Sequence, residues 1–410
     1  MCNINPNYSP SVLDKKYRLA DFFNQHWANY LQHPKEPITE EQFKAVNMMR
    51  LCRTPALGKD IYSCPDCDDV TEVYHSCKNR FCPTCSWQDT VKWAEKINNR
   101  MLASKHRHVV MTLPHELNDL IKSNNELLLD VLLRVSSETI TDWMHHKHSV
   151  TPGVISVLHT FGETKNYHPH VHMIVSWGGL DSQNKQKEIK GDFVNYDFIK
   201  KKFRLKFEDA LVGCYNNNSL THRFKDRKDF FRFLKRVNEK RWVVHMEPTM
   251  ANPAHVVRYI GRYSKRACLS EYKITRMEGD FIGFKYKDYK TVDKKGKAVE
   301  KELVLHYRDF FPRLLQHVPP KRFRMVRYYG LYSNKGYIPE QYRNTKKIES
   351  PEKWENIQEE VTGENPLICK KCNKRKSYDY TISRRRQEPS VRIYVRKELV
   401  REFDLMKNVA

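Results

Sequence analysis

Apolar residues recur along the chain at two periods, about 3.6 and 2, and the switch between them sets out the elements. Two helices are predicted between Tyr17 and Met49. The first carries Leu19, Phe22, Phe23 and Trp27 on one face, and the second opens at Thr39, with Glu41 nearby, and carries Phe43, Val46 and Met49. Asp89 to His106 reads as a helix with Val91, Ile97 and Met101 inward, leading to an alternating strand, His108 to Leu113, that Pro114 ends. Leu117 to Met144 is mostly helical, with Leu127, Val131, Leu132 and Val135 as its stripe. Strand periodicity returns from Val154 to Phe161. A turn over Gly162 to Asn166 then feeds a second extended run that ends at Gly178-Gly179, so the two make an antiparallel hairpin.

Helices over Phe193 to Val212 and Lys228 to Val237 follow, then a strand, Trp242 to Met246. Asn252-Pro253 has the form of an N-cap followed by proline in the first turn, and Val256, Tyr259, Ile260 and Tyr263 then share one helical face. Phe281 to Tyr289 and Val299 to His306 alternate around Lys294-Lys-Gly-Lys297 and form a further hairpin, and a helix begins over Phe310 to Leu315. Lys321 to Gly330 is basic and aromatic, Asn344 to Pro366 reads as a polar linker, and Leu367 to Ala410 is strongly basic. Strands gathered into hairpins among long helices place the chain in the α+β class.

Composition narrows the partners. The 410 residues include 73 Lys and Arg against 49 Asp and Glu, a formal excess of +24, which points to a polyanion, nucleic acid first. The 22 Tyr, 19 Phe and 7 Trp interleaved with these cations suit base stacking. No apolar run approaches the roughly 20 residues needed to cross a bilayer, and the first ten residues lack the pattern of a signal peptide, so no membrane partner and a cytoplasmic location are expected. There is no Walker loop and no GxGxxG, so nucleotide hydrolysis is not indicated.

In that setting the 11 cysteines read as metal ligands or buried thiols rather than disulfides. Cys64-Pro-Asp-Cys67 and Cys82-Pro-Thr-Cys85 are two CxxC knuckles, and the expectation is that their four thiolates surround one tetrahedral zinc in a zinc-ribbon-like module. Cys52, His75 and Cys77 are left over as supporting groups, a partial second site or alternative ligands. Arg53, Lys59, Lys78 and Arg80 decorate the knuckles and suit phosphate contact. Cys369-Lys-Lys-Cys372 is half a zinc site, to be completed elsewhere in the chain or by another chain, or else simply two thiols.

The second chemical feature is His168-Pro-His170-Val-His172. On a strand His170 and His172 face the same way, about 7 Å apart along the backbone, which suits a divalent metal, with Ile174 on their side and Val171, Met173 and Val175 on the other. Of the candidates for a third ligand, His159 on the partner strand is favoured, with Glu163 and His168 as alternatives until the register is known.

Taken together, Cys52-Arg-Thr-Pro-Ala-Leu-Gly58, Ser76-Cys-Lys-Asn-Arg-Phe-Cys-Pro-Thr-Cys85, His108-Val-Val-Met-Thr-Leu-Pro114, Leu158-His-Thr-Phe-Gly162, the histidine strand and Arg258-Tyr-Ile-Gly-Arg-Tyr263 resemble the rolling-circle transposases of the insertion-sequence ninety-one family, two-tyrosine HUH endonucleases. The resemblance runs from about Ala20 to Asn334. It implies an HUH-type nuclease domain, a central antiparallel sheet flanked by helices, behind a zinc-binding module. The domains expected are a helical lead-in over 1–50, the zinc module over 51–100, the nuclease over 101–340, a linker over 341–366 and a basic extension over 367–410.

By position, the resemblance makes His170 and His172 ligands of a catalytic Mg or Mn, zinc a structural ion, and Tyr259 and Tyr263 nucleophiles that leave a 5′-phosphotyrosine on single-stranded transposon-end DNA. Arg258, Arg262, Lys265 and Arg266 on the tyrosine helix would grip flanking phosphates. Replication initiators and relaxases share this chemistry, and a non-catalytic zinc-dependent DNA-binding regulator is the alternative from another class.

Overall fold

The computed structural model describes residues 17–85, 93, 97–98, 100–250, 267–293, 295–344, 353–356, 359, 363–384 and 391–395. In chain order the strands are β1 Gly58–Ser63, β2 Val70–Tyr74, β3 His106–Thr112, β4 Gly153–Phe161, β5 Tyr167–Ser176, β6 Gly178–Leu180 and β7 Gln186–Glu188. They continue with β8 Val243–Met246, β9 Ile274–Glu278, β10 Phe281–Val292, β11 Ala298–His306, β12 Val326–Gly330, β13 Ser377–Arg384 and β14 Val391–Val395. The chain divides into two compact units. One takes Met1–Gln88, Leu269–Phe310 and Glu352–Ala410, the other Asp89–Cys268 and Phe311–Pro351.

The second unit is built on a five-stranded sheet in the order β12-β4-β5-β3-β8, with every neighbouring pair antiparallel. The predicted hairpin is β4-β5, turned at Gly162 to Asn166, where Lys165 takes positive φ. One face of the sheet presents Val109, Met111, Val154, Leu158, Val171, Met173 and Val175 to the main core, which the helix Asn125–His148 shares through Leu128, Leu132 and Val135. The helix Tyr196–Asn216 adds Ile199, Phe203, Phe207 and Leu211, four residues apart and therefore on one stripe. Asn195 caps it by accepting from the Phe198 backbone N–H. Burial of a Phe or Leu in such a core contributes roughly 1.5–3 kcal/mol each, so this face holds the unit together.

On the opposite face Ile155, Val157 and Ile174 pack with Trp93, Ile97 and Met101 in a smaller cluster. Three details differ from the periodicity. The helix expected to run to His106 gives way before it, since Leu102 bridges to Arg343 and β3 starts at His106. Leu117 to Met144 is broken at Asn124, whose side chain bonds the Leu120 and Thr221 carbonyls and the Thr221 N–H instead of continuing the helix. The basic segment ending at Gly330 supplies an edge strand, β12, beside β4.

In the first unit the helices Leu19–Gln32 and Glu40–Arg50 bury Phe22, Phe23, Trp27, Val46 and Met49, and Thr39 forms a capping box with Gln42. A three-stranded sheet, β11-β10-β9, contains the predicted hairpin. A four-stranded sheet in the order β14-β13-β1-β2 brings the C-terminal segment onto the cysteine-bearing hairpin, so residues expected as a separate extension belong to the same unit as the zinc module. Among the described residues no helix is long and apolar enough to cross a membrane.

Candidate metal centres

The register of β4 on β5 settles which residues meet. His159 lies directly opposite His170, and His172 follows two residues on, so all three point from one face of the sheet. Their ring centroids are 5.4, 4.5 and 4.9 Å apart for the pairs 159–170, 159–172 and 170–172. A ligand atom from each lies within 4.8 Å of the others. Glu163 and His168, the alternative third ligands, are not in this group.

The hydrogen bonds of the rings fix which nitrogens are available. The Nδ1 of His170 is 2.7 Å from the His168 carbonyl, which only accepts, so Nδ1 carries the proton and Nε2 keeps its lone pair. The Nδ1 of His172 is 2.8 Å from Nε2 of His108, whose own Nδ1 is 3.3 Å from the Glu247 carboxylate. One of the two nitrogens donates to the other, and in the tautomer where His172 donates from Nδ1 its Nε2 keeps a lone pair for a ligand. Burial lowers His170 to about 4 and puts His172 well below the usual histidine range, with the neighbouring imidazoles adding to both shifts. Both rings are therefore neutral at neutral pH, the form that binds metal.

The cysteines are arranged differently from the expectation. Cys64, Cys67, Cys82 and Cys85 do not meet around one site. Cys82 and Cys85 gather with Cys52 and Cys77, and Cys64 and Cys67 gather with Cys369 and Cys372. The reason is the β1-β2 hairpin that separates the two CxxC pairs. Cys64 and Cys67 sit at its tip, beyond the Ser63–Val70 pair, whereas Cys52 precedes and Cys77 follows its base at Lys59–Tyr74. Five extended residues hold the two ends roughly 17 Å apart, too far for one ion.

In the first group the sulfur of Cys85 is 3.4 Å from that of Cys52 and 3.5 Å from that of Cys77, close to the ~3.8 Å edge of a tetrahedron with 2.3 Å zinc–sulfur bonds. The Cys77 N–H points at the Cys52 sulfur, 3.4 Å away, and Arg53 and Lys78, each directly after a cysteine, take positive φ and curl the chain around the site. Four buried thiols with no disulfide among them fit zinc. His75, left over by the spacing, is engaged elsewhere, with Nε2 3.0 Å from Asp60. Lys59 is paired with Glu72. Cys52 and Cys77 are visible to sequence reasoning as a C-x24-C-x4-C-x2-C spacing with the second CxxC.

Tyr259, Tyr263, Arg258, Arg262, Lys265 and Arg266 lie outside the described residues.

The fold is α+β with an HUH-type antiparallel sheet that carries three convergent histidines, and a cysteine-rich module accompanies it; comparison with known proteins gives the class, that of transposases. Residues 153–337 match a family model described as "Putative transposase", and residues 22–113 match one described as "Transposase zinc-binding domain". The chain is 28% identical over 383 residues, 87% of its length and 92% of the relative, to "Putative transposase y4qJ" of Sinorhizobium fredii. It is 29% identical over 357 residues, 84% of its length and 83% of the relative, to "Transposase for insertion sequence element IS801" of Pseudomonas savastanoi pv. phaseolicola. No solved structure matches it. The chain belongs to the insertion-sequence ninety-one family of transposases.

Proposed function

We propose that this transposase cleaves and rejoins single-stranded DNA at transposon ends through a tyrosine nucleophile, at a metal site made by His159, His170 and His172. The observation that carries the reading is the convergence of His159, His170 and His172 from two paired strands, each with a ligand atom within 4.8 Å of the others and with Nε2 of His170 left unprotonated. A divalent ion bound there would draw charge from a scissile phosphate oxygen. The all-nitrogen donor set suits Mn better than Mg, which prefers oxygen.

Tyr259 and Tyr263 are the nucleophiles in this reading. The phenolic oxygen of one attacks phosphorus, the bond to the 3′ oxygen breaks, and the products are a 5′-phosphotyrosine and a 3′-hydroxyl. One phosphodiester has replaced another, so a second 3′-hydroxyl can take the strand back without ATP. Two tyrosines one helical turn apart would serve the two ends of a transfer. Arg258, Arg262, Lys265 and Arg266 would hold the flanking phosphates.

The test is incubation of the full chain with single-stranded oligonucleotides from the ends of its own element in Mn or Mg, followed by mapping of any covalent peptide adduct. An adduct on Tyr259 or Tyr263 is expected, lost in Tyr259→Phe/Tyr263→Phe and in His170→Ala/His172→Ala. An adduct at another residue, or undiminished nicking by the histidine variant, would overturn the reading.

A further inference from the structure

We infer that Cys64, Cys67, Cys369 and Cys372 form a second zinc site that fastens the C-terminal segment to the tip of the β1-β2 hairpin. Two of its ligands fall outside residues 22–113, the stretch matched by the zinc-binding domain model. The inference is independent of the nuclease reading, because it concerns groups within the cysteine-bearing unit alone.

The four ligand sulfurs lie within 4.8 Å of one another, with Cys64 and Cys372 3.5 Å apart. Each pair is shaped as a knuckle. The Asp69 N–H bonds the Cys67 carbonyl at 2.7 Å and the Cys64 N–H bonds the Asp69 carbonyl at 3.0 Å, closing the first. In the second, the Cys369 N–H bonds the Lys374 carbonyl at 2.9 Å, the Lys371 N–H points at the Cys369 sulfur at 3.4 Å, and Asn373 takes positive φ to complete the turn. An N–H aimed at a sulfur stabilises the thiolate form that a metal needs.

The knuckles are also bound to each other by groups that are not ligands. Asp69 accepts from the Lys370 backbone N–H and pairs at 2.7 Å with Lys376, whose side chain is fully buried. Asp66 pairs with Lys374 at 3.0 Å. Directly behind them β13 runs antiparallel to β1, with Ser63 opposite Ser377. Two facing knuckles on a β2-β1-β13 sheet make a zinc ribbon whose halves are some 300 residues apart in sequence. Four thiols with no disulfide among them, brought together from two separate segments and fixed by an ion pair whose lysine is buried, match an all-cysteine structural zinc site in donor type and number.

Native mass spectrometry of the full chain purified with zinc gives the test. In a His170→Ala/His172→Ala background, where the three-histidine group cannot take up zinc, two zinc ions per chain are expected with all cysteines in place and for the control Cys214→Ser. One is expected for Cys369→Ser/Cys372→Ser, one for Cys64→Ser/Cys67→Ser, and one when all four are replaced. Retention of two ions by the Cys369→Ser/Cys372→Ser variant overturns the inference, as does a single ion with all cysteines in place. Should the variants not fold, alkylation of the unaltered chain decides. Cys64, Cys67, Cys369 and Cys372 are expected to resist iodoacetamide together and to become reactive together when a chelator is added. Equal rates for Cys369 and Cys372 with and without chelator would overturn it.

Discussion

The rings of His108 and His172 lie edge to edge, with the planes 4° apart and Nε2 of the first 2.8 Å from Nδ1 of the second. His108 is not a member of the three-histidine group, yet it holds His172, one of its members, and the Glu247 carboxylate lies 3.3 Å from its other ring nitrogen. If the group binds metal as proposed, His108 is a positioning residue for His172. His108→Gln should therefore weaken Mn binding by about 10- to 100-fold, with the fold intact, and Glu247→Gln should do the same more mildly. Isothermal titration with Mn checks this, and unchanged affinity in His108→Gln would remove this role.

The first cysteine group makes a separate prediction. Cys52→Ser and Cys82→Ser should each lose the same single zinc and leave the module open to protease, since so short a segment relies on its metal for stability. Zinc content measured on each variant distinguishes this grouping from one site shared by the two CxxC pairs, in which Cys52→Ser would keep its full metal.

Stability should also depend on pH. His106 and His317 are buried, and burial lowers them to about 4 and about 3. The unfolded chain takes up a proton on each near pH 6.5 whereas the folded chain does not. Their contribution is therefore complete above about pH 6.5 and is lost as pH falls toward 4 and then 3. Thermal unfolding followed from pH 7.5 to 4.5 should show a falling midpoint, less steep in His317→Gln. A flat profile for the unaltered protein would contradict the burial of these rings.

Binding to single-stranded DNA should weaken linearly in log–log coordinates with salt, with a slope of about −0.7 per phosphate neutralised. The formal charge of +24 is spread over the whole chain, so His170→Ala/His172→Ala should leave that slope unchanged while removing any metal-dependent step. A filter-binding series from low to high salt measures it, and a slope near zero would argue against phosphate contact as the source of affinity.

In the core, Phe203 is fully buried with its ring 5.4 Å from that of Trp242. Phe203→Ala should cost roughly 3–5 kcal/mol through lost burial and the cavity left behind, read from denaturant unfolding. A cost below about 1 kcal/mol would mean the helix Tyr196–Asn216 does not rest on the sheet as described.

What is legible in the sequence is what depends on neighbours along the chain. The period-2 runs and the short turn at Gly162 to Asn166 point to the β4-β5 hairpin, and the hairpin makes His159 the favoured third candidate. The grouping of the cysteines is legible only as a candidate spacing around Cys52, Cys77, Cys82 and Cys85, because spacing reports only whether two knuckles can reach one ion. It does not report that a hairpin five residues deep holds them at opposite ends, nor that Cys369 and Cys372 return from the far end of the chain. For the same reason β12 and β13, whose partners β4 and β1 are distant in sequence, show in the sequence only as basic segments. His108 looks like an ordinary strand residue until the register of β3 on β5 places it opposite Ile174, one step from His172.

The pairing of Gly58 with Ser383 has a consequence for how the chain is made. When β1 leaves the ribosome its neighbour β13 is still more than 300 residues from synthesis. At 5–20 residues per second that is a wait of roughly a quarter of a minute to a minute. During it the β1-β2 hairpin has one edge bare and its tip cysteines have no counterparts, whereas β3, β4 and β5 are already complete. The sheet-bearing unit can therefore start to fold on the ribosome, while the cysteine-bearing unit closes only once Ser377–Arg384 has been made.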